Sequence, residues 1–234
     1  MSAKKVRRLS LGSRALDEIF PGFKLGDFAV LHGRAAPYIS HVLSVRCHLQ
    51  PNNGGLGSST TFVDGGNLFN PYLVAEIARS YGLDSRLTLE KIYVSRAFTA
   101  YQLSSLILEK LELSLRRRRP KLMVVSDIAS LFLDGDIPKT EANDLFIKVC
   151  GKLSEIASRK KAIVVTSYLS ERRSKRSVFF EAILFGRSNI LVMFSRRRKI
   201  LSFALESHPH IRSFSMDFDS PVTDYASLTS FMEV

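Results

Sequence analysis

Short, nearly continuous apolar runs alternate along the chain with segments of helical periodicity. Apolar runs closed by Gly or polar residues predict buried strands at 28–33, 60–66, 92–95, 121–127 and 162–167. Apolar residues at three- and four-residue spacing predict helices at about 40–50, 71–82, 103–119 and 140–158. Strands that lack polar alternation are buried on both faces, so the pattern predicts a mostly parallel central sheet flanked by helices on both faces.

The pattern changes after Asn189. Three β-type runs then follow without helices between them, at 190–195, 200–205 and 211–218. Successive strands without crossover helices pair as antiparallel neighbours, so this region predicts an antiparallel C-terminal extension of the sheet edge. The predicted fold class is therefore α/β.

Length and composition favour one domain. The chain has 234 residues, of which 45% are hydrophobic. We expect one core across residues 1–234, with a basic N-terminal arm at about 1–8 and an acidic C-terminal tail at about 219–234. No stretch approaches about 18 apolar residues, and the basic N-terminus precedes no apolar signal region. The expectation is an intracellular protein, in the cytoplasm or with the DNA, without a membrane partner.

The two cysteines give no sign of a metal site or a disulfide framework. Cys47 and Cys150 are far apart, and neither belongs to a CxxC or Cys/His ligand pattern. We therefore predict no metal ligands.

The balance of charge favours a polyanionic partner. Thirty-four Lys and Arg against 22 Asp and Glu give a net charge of +12. Nucleic acid is the leading candidate. A basic protein that binds no polyanion remains the alternative, so the decision depends on where the charges lie.

Residues 151–200 carry thirteen Lys and Arg and three acidic residues. Two dense clusters in this segment are predicted to lie in loops after strands, where open α/β sheets place ligands. The predicted DNA-binding residues are Arg172, Arg173, Lys175 and Arg176 in the first cluster, and Arg196, Arg197, Arg198 and Lys199 in the second. The second cluster is equally compatible with a solvated hairpin turn.

Two neighbouring features have structural explanations of equal or greater weight. The run Arg116–Arg119 ends a predicted helix and complements its dipole, so we do not count it as a site. Phe179 and Phe180 follow the first cluster and could stack on bases. A core-facing element beginning at these two residues is the simpler interpretation.

The order of segments resembles the RecA/RadA/KaiC superfamily from about Leu9 to Phe218. The segment LGSRALDEIF followed by PGFKLGD is similar to the lead-in that precedes the family's phosphate-binding strand. The segments from Asp64 to Glu76 and from Ile92 to Ala97 are similar to the region between the family's two ATPase motifs. The resemblance implies a RecA-like fold, and it aligns the nucleotide motifs with this sequence.

In that alignment the phosphate-binding loop, with the pattern GxxxxGK followed by Ser or Thr, falls on GRAAPYIS. Only the first Gly and the hydroxyl are kept, as Gly33 and Ser40. A working loop needs a second Gly for backbone freedom and a Lys for phosphate charge, and here these are Tyr38 and Ile39. Pro37 also removes one N–H. Ser40 alone could still bind a metal.

The second motif is altered as well. The family's VVDS reads VVSD here, so the carboxylate moves by one residue to Asp127 and, without a bulge, to the other strand face. The family's catalytic Glu falls on Gly66, while Asp64 is kept. We therefore predict no useful ATP hydrolysis, a vestigial nucleotide site at Gly33, Ser40 and Asp127, and no cofactor. In the alternative of an altered site, ATP and magnesium still bind, with Arg34 and Asp127 as substitutes.

The resemblance implies DNA as a partner and, with the charge, favours a DNA-binding accessory factor in homologous recombination or repair. Its partners would be single- or double-stranded DNA with weak sequence preference, together with an active RecA/RadA-like recombinase. Two alternatives remain, namely a protein-interaction subunit that does not bind DNA, and the ATP-binding protein with an altered site.

Overall fold

The computed structural model describes residues 6–159, 161–169, 174–197 and 200–219. The outer parts of the predicted arm and tail, at 1–5 and 220–234, lie outside the described residues. The strands are β1 (Arg8–Leu9), β2 (Phe23–Lys24), β3 (Phe28–His32), β4 (Thr60–Asp64), β5 (Ile92–Arg96), β6 (Leu122–Ser126), β7 (Ile163–Tyr168), β8 (Ile190–Arg197), β9 (Ile200–Ser207) and β10 (Phe214–Asp219). The helices are α1 (Arg14–Ile19), α2 (Ala36–Arg46), α3 (Pro71–Ser80), α4 (Ser85–Glu90), α5 (Ala100–Ser105), α6 (Leu111–Arg118), α7 (Ser130–Leu133), α8 (Lys139–Ser158) and α9 (Lys175–Arg187), with a π-helical turn at Leu106–Lys110.

Eight of the described strands form one sheet in the order β10-β9-β8-β3-β7-β6-β4-β5. The pairs from β8 to β5 are parallel. Strands β9 and β10 continue the sheet in antiparallel pairs. This confirms the predicted α/β fold, with its mostly parallel sheet and its antiparallel C-terminal extension.

The core lies in two layers, one on each face of the sheet. In β6, Leu122 and Val124 point to the layer that contains α2 and α3, whereas Met123 and Val125 point to the layer with α8 and α9. Alternate residues are thus buried on opposite faces, which explains the continuous apolar runs. No helix in the described ranges has the length and apolar character that crossing a membrane requires.

The helix predicted at 40–50 begins earlier, at Ala36, and ends at Arg46. The predicted bounds were wrong by about four residues at each end. Pro37 lies in the first helical turn, where its missing N–H costs no intrahelical hydrogen bond. Helices α1, α4, α7 and α9 had no sequence prediction.

The N-terminal segment is fastened to the domain by Arg46, which is only 4% exposed. Its guanidinium donates hydrogen bonds to the backbone oxygen of Ser10 and to the Ser10 hydroxyl, both at 2.7 Å. It also donates to the carbonyl of Asn53 at 3.2 Å and lies 4.9 Å from the ring centroid of Tyr81. A Cβ at Gly12 would lie 2.3 Å from this guanidinium, which explains the Gly in the lead-in.

Candidate functional site

The parallel strands bring their carboxyl ends to one edge of the sheet, which we call the carboxyl edge. It includes His32 at the end of β3, Asp64 at the end of β4 and Ser126 at the end of β6. Tyr168 ends β7 and Arg197 ends β8 at the same edge. Loops that leave this edge are where open α/β sheets place ligands.

Only three residues, 33 to 35, connect β3 to α2. Gly33 has φ +88°, and a Cβ there would lie 2.3 Å from the carbonyl oxygen of Phe194 in β8. Both the positive φ and this close approach require a residue without a Cβ. The first Gly of the motif therefore serves close packing against β8.

The backbone amides of this turn are directed at protein carbonyls. The N–H of Ala35 donates to the carbonyl of Phe194 at 3.3 Å, and the N–H of Ala36 donates to the carbonyl of Gly33 at 3.0 Å. Pro37 has no N–H. A phosphate-binding loop works by turning consecutive free amides toward the anion. Here the amides of Ala35 and Ala36 already donate to protein carbonyls, and Pro37 supplies none.

The side chains of the motif fill the interior. Tyr38 and Ile39, at the positions of the family's second Gly and Lys, are each 1% exposed within the α2-side core. The guanidinium carbon of Arg196 lies 5.6 Å from the ring centroid of Tyr38. The Ser40 hydroxyl is fully buried and donates to the carbonyl of Ala36 at 3.0 Å.

His41 lies directly behind this turn and is held neutral by its surroundings. The N–H of Asn70 donates to His41 Nε2 at 3.1 Å, so Nδ1 carries the ring proton and donates to the carbonyl of Pro37 at 2.7 Å. Burial lowers the pKa of His41, although the Pro37 carbonyl and the charge of Asp64 oppose that shift. The ring thus fixes the start of α2 against the loop after β4.

Asp64, the acid that the alignment keeps, has no solvent exposure. Its carboxylate accepts from the N–H groups of Leu68 and Phe69 at 2.9 and 3.1 Å. Arg96, at the end of β5, donates to the same carboxylate at 3.0 Å. Asp64 therefore organises the loop after β4 and neutralises Arg96.

The end of β6 differs from the family's metal-binding arrangement. β4 and β6 pair in continuous register up to Asp64 opposite Ser126. Ser126 lies two residues after Val124 and so continues the α2 face, where the family's Asp points. Asp127 follows the strand with φ +43°, and its carboxylate accepts from the N–H of Leu169 at 3.4 Å.

Gly66 and Asp127 occupy the same space. A Cβ at Gly66 would lie 2.7 Å from the Cβ of Asp127 and 3.2 Å from one of its carboxylate oxygens. A glutamate at position 66 would therefore collide with the displaced Asp127. The two departures from the family pattern form one packing arrangement.

The structure corrects the predicted setting of the first basic cluster. Lys175 and Arg176 lie in the first turn of α9, after the N-cap Ser174, and not in a loop. Lys175 is exposed. Arg176 turns inward and donates to the carbonyls of Asp134 and Ile137 at 3.2 and 3.4 Å. Arg172 and Arg173 lie outside the described residues.

The second basic cluster is at the hairpin between β8 and β9. Arg197 pairs with Ile200, so two residues connect the strands. Arg197 is exposed, and Arg196 covers Tyr38 as described above. Arg198 and Lys199 lie outside the described residues.

Phe179 and Phe180 have different environments. Phe180 is fully buried against Phe146, with ring centroids 4.4 Å apart. Phe179 is 36% exposed. The core-facing interpretation thus holds for Phe180, while Phe179 is accessible beside Lys175.

Two partners at the carboxyl edge had no sequence prediction. Arg96 could have been found because it is a charged residue that ends a strand at this edge. The contact of the Phe194 carbonyl with Gly33 gives no sequence signal, because it joins backbone atoms of residues 161 positions apart.

Comparison with known proteins gives one finding. Residues 2–181 match the family model described as Rad51. The match covers well over half of the 234 residues. It includes the Gly33 turn, Asp64 and Asp127, and it ends within α9.

Proposed function

The chain belongs to the Rad51 family of RecA-like recombination and repair proteins, and from that premise we propose that it is a DNA-binding accessory factor that does not hydrolyse ATP. Membership confirms the resemblance to the RecA/RadA superfamily. DNA and recombinases are the partners that this family suggests.

The observation that carries the non-catalytic part of the proposal is the use of the Gly33-turn amides. Two N–H groups that would meet the phosphates donate to the carbonyls of Phe194 and Gly33. Turning them outward would break both hydrogen bonds and move β8 away from Gly33. The residues present therefore do not fit a nucleoside triphosphate.

The metal-binding groups support the same proposal. The Ser40 hydroxyl donates to the carbonyl of Ala36 within the helix, and Ser126 stands where the family has its metal-binding carboxylate. Asp127 is the next residue along the chain, and its carboxylate accepts from the N–H of Leu169. On the α2 face magnesium would find the buried Ser40 hydroxyl, no carboxylate at the end of β6, and only the Asp64 carboxylate, which two backbone N–H groups and Arg96 already engage.

A general base is also missing from the arrangement. The carboxylate of Asp64 is engaged by two backbone N–H groups and Arg96. Gly66 has no side chain and no room for one. Each removed electrostatic group typically contributes on the order of 10²-fold or more to the rate of phosphoryl transfer. We expect ATP turnover no higher than that of buffer, with or without DNA.

The DNA-binding part of the proposal is supported by charge at the carboxyl edge. Lys175 and Arg197 are the exposed members of the two clusters among the described residues. Phe179 lies beside Lys175 with an accessible ring that could stack on a base. Contacts of this kind are mainly to the phosphate backbone, so binding should depend on salt and weakly on sequence.

The test is a titration of fluorescent single-stranded DNA at several salt concentrations. Replacing Arg172, Arg173 and Lys175 together by Ala should weaken binding and reduce the slope of log K against log salt by about 2. Arg176 is left in place because its removal would free the carbonyls of Asp134 and Ile137.

A matched control removes three exposed arginines from α1, α3 and α4. The variant Arg14→Ala, Arg79→Ala, Arg86→Ala lowers the net charge equally and should keep the wild-type slope. Equal losses in both variants would mean that net charge alone drives binding. Failure of the wild-type protein to bind DNA would favour the protein-interaction alternative.

A further inference from the structure

The segments that precede β6 and β7 carry as many basic residues as the two clusters at the carboxyl edge. Residues 116–121 and 159–161 contain eight Lys and Arg and no acid. The clusters at 172–176 and 196–199 together also contain eight and no acid. The excess charge of residues 151–200 is therefore divided between two places in the fold.

The first two segments meet at the amino edge of the sheet, opposite the carboxyl edge. The segment 116–121 leads into β6, and 159–161 leads into β7. Leu122 pairs with Ile163 in the parallel register, and the N–H of Ile163 donates to the carbonyl of Lys121 at 2.8 Å. The strands of five residues put roughly 15–20 Å between the two edges.

A cavity of about 670 Å³ lies between these segments. Its size is within the range of sites that hold nucleotide-sized groups. The apolar residues that line it are Leu115, Pro120, Ile156 and Ala162. Its charged residues are Arg116, Arg119, Lys121, Arg159, Lys161 and Glu112.

Glu112 offsets only part of this charge, because it and Glu155 are shared among three cations, Arg116, Lys152 and Arg159. It accepts from Arg116 at 3.4 Å, from Lys152 at 3.1 Å and from Arg159 at 2.8 Å. These contacts fix two arginines on the rim of the cavity. Arg119 and Lys161 are exposed beside them.

Arg119 is held in a backbone conformation that disfavours a side chain. Its φ is +48°, at the position after α6 where helices usually place Gly. An arginine in the left-handed region carries a conformational cost that Gly would avoid. The helix ending alone therefore does not explain the residue, whereas a binding role for its guanidinium does.

The same helix end extends the charge along the surface. Arg117 and Arg118 line a neighbouring groove together with Lys110. A row of cations suits the repeated phosphates of a nucleic acid better than a single carboxylate. Arginine forks also match phosphate oxygens in pairs.

We propose that the cavity and its rim, formed by Arg116, Arg119, Lys121, Arg159 and Lys161, are a second nucleic-acid-binding surface that contacts the phosphate backbone. It lies on the opposite edge of the sheet from the proposed carboxyl-edge interface and does not depend on it. One chain would then contact two separate nucleic-acid segments.

The test uses the variant Arg116→Ala, Arg119→Gly, Lys161→Ala in the full chain. Its affinity for a 40-nucleotide single strand and a 40-base-pair duplex is measured between 50 and 200 mM salt. At about 100 mM salt we expect the dissociation constant for at least one of them to rise by roughly tenfold or more. The slope of log K against log salt should be smaller by about 2. The control Arg14→Ala, Arg79→Ala, Arg86→Ala should behave as the wild type.

The two interfaces can fail separately. Loss of affinity in the carboxyl-edge variant alone would overturn this inference and leave the proposed function standing. Loss in the amino-edge variant alone would support this inference and count against the carboxyl-edge interface. Unchanged DNA binding together with lost binding of polyglutamate would assign the cavity to an acidic protein segment and contradict the proposal.

A single substitution separates binding from folding. Arg119→Gly relieves the left-handed backbone, so the variant should melt no lower than the wild type, while its salt slope falls by about 0.7–0.9. A structural role for Arg119 would give the opposite result, with a lower melting temperature and an unchanged slope.

Discussion

At the scale of single residues, the packing of Gly66 against Asp127 explains why both positions differ from the family pattern. The left-handed Asp127 moves into the space that a side chain at 66 would need. Neither departure from the family pattern can be reversed alone, because each residue restricts the other.

This coupling predicts a non-additive pair of substitutions. Gly66→Ala should lower the free energy of unfolding by about 1–3 kcal/mol, since its Cβ would overlap that of Asp127. In an Asp127→Gly background the same change should cost less by at least about 0.5 kcal/mol. Urea unfolding of the four proteins measures the coupling.

Gly135 provides the control for this cycle, because a Cβ there meets nothing within 4 Å. Gly135→Ala should leave the unfolding free energy nearly unchanged. Strict additivity of the Gly66 and Asp127 substitutions would refute the shared packing.

Buried histidines predict a dependence of stability on pH. Burial lowers the pKa of His48 to about 4, with a smaller contribution from the charge of Lys91, and burial also lowers the pKa of His41. In the unfolded chain these pKa values are about 6.5. The part of the stability that depends on these neutral histidines is therefore fully present above about pH 6.5, and the His48 contribution is lost as the pH falls toward 4.

Each histidine contributes at most about 1.4 kcal/mol per pH unit to this loss. His48→Gln removes one titrating group, so its free energy of unfolding should fall less between pH 7 and pH 5 than that of the wild type. Equal decreases in urea-unfolding experiments would show that His48 does not titrate in this range.

At the scale of elements, Arg46 joins α2 to the N-terminal segment and to the loop at 50–54. Arg46→Met should remove a buried hydrogen-bonded charge and leave the carbonyls of Ser10 and Asn53 unpaired, at a cost of about 2–4 kcal/mol. The local effect should be largest at the N–H of Ser10, which donates to the carbonyl of Gly54 at 2.9 Å.

Hydrogen exchange measures this directly. The Ser10 amide should exchange at least tenfold faster in Arg46→Met, while amides in β6 change less. The exposed Arg79 on α3 supplies the control, and Arg79→Met should leave the Ser10 amide unchanged. Uniform acceleration across all strands would contradict a local role.

The central strands could be predicted from the sequence because burial on both faces leaves a continuous apolar run. The antiparallel extension could be predicted because no helical pattern interrupts the last three strands. Helix α9 could not be predicted, because the dense basic cluster at its start resembles the sequence of a loop. The cap is local, between Ser174 and Ser177, whereas the inward turn of Arg176 depends on tertiary contacts with the carbonyls of Asp134 and Ile137.

The candidate site, too, has features that could be predicted from the sequence and features that could not. The replaced residues at 38, 39 and 66 could be identified by alignment with the family motifs. The three-residue turn and the hydrogen bond from Ala35 to Phe194 could not, because they depend on how β8 packs beside β3. The amino-edge charge was attributed to a helix end because its two segments meet only in the folded sheet.

On the scale of the whole molecule, basic residues lie at two opposite edges of the sheet. Tyr38 and Ile39, which the family alignment places in the phosphate-binding loop, are part of the core between them. The carboxyl edge contains the Gly33 turn and the proposed DNA contacts. The amino edge contains the cavity lined by Arg119 and Lys161. Under the proposed function, this Rad51-family fold serves through its surfaces and does not hydrolyse ATP.

The measurement that tests the central claim most directly is thermal melting in 1 mM ATP with magnesium. We predict a change in melting temperature below about 1 °C. A site with a dissociation constant near 10 µM would be stabilised by about 2.7 kcal/mol, which raises the melting temperature of a domain of this size by roughly 5–10 °C. A rise of that size, abolished by Arg34→Ala or Asp127→Ala, would contradict the claim and establish an altered ATP site.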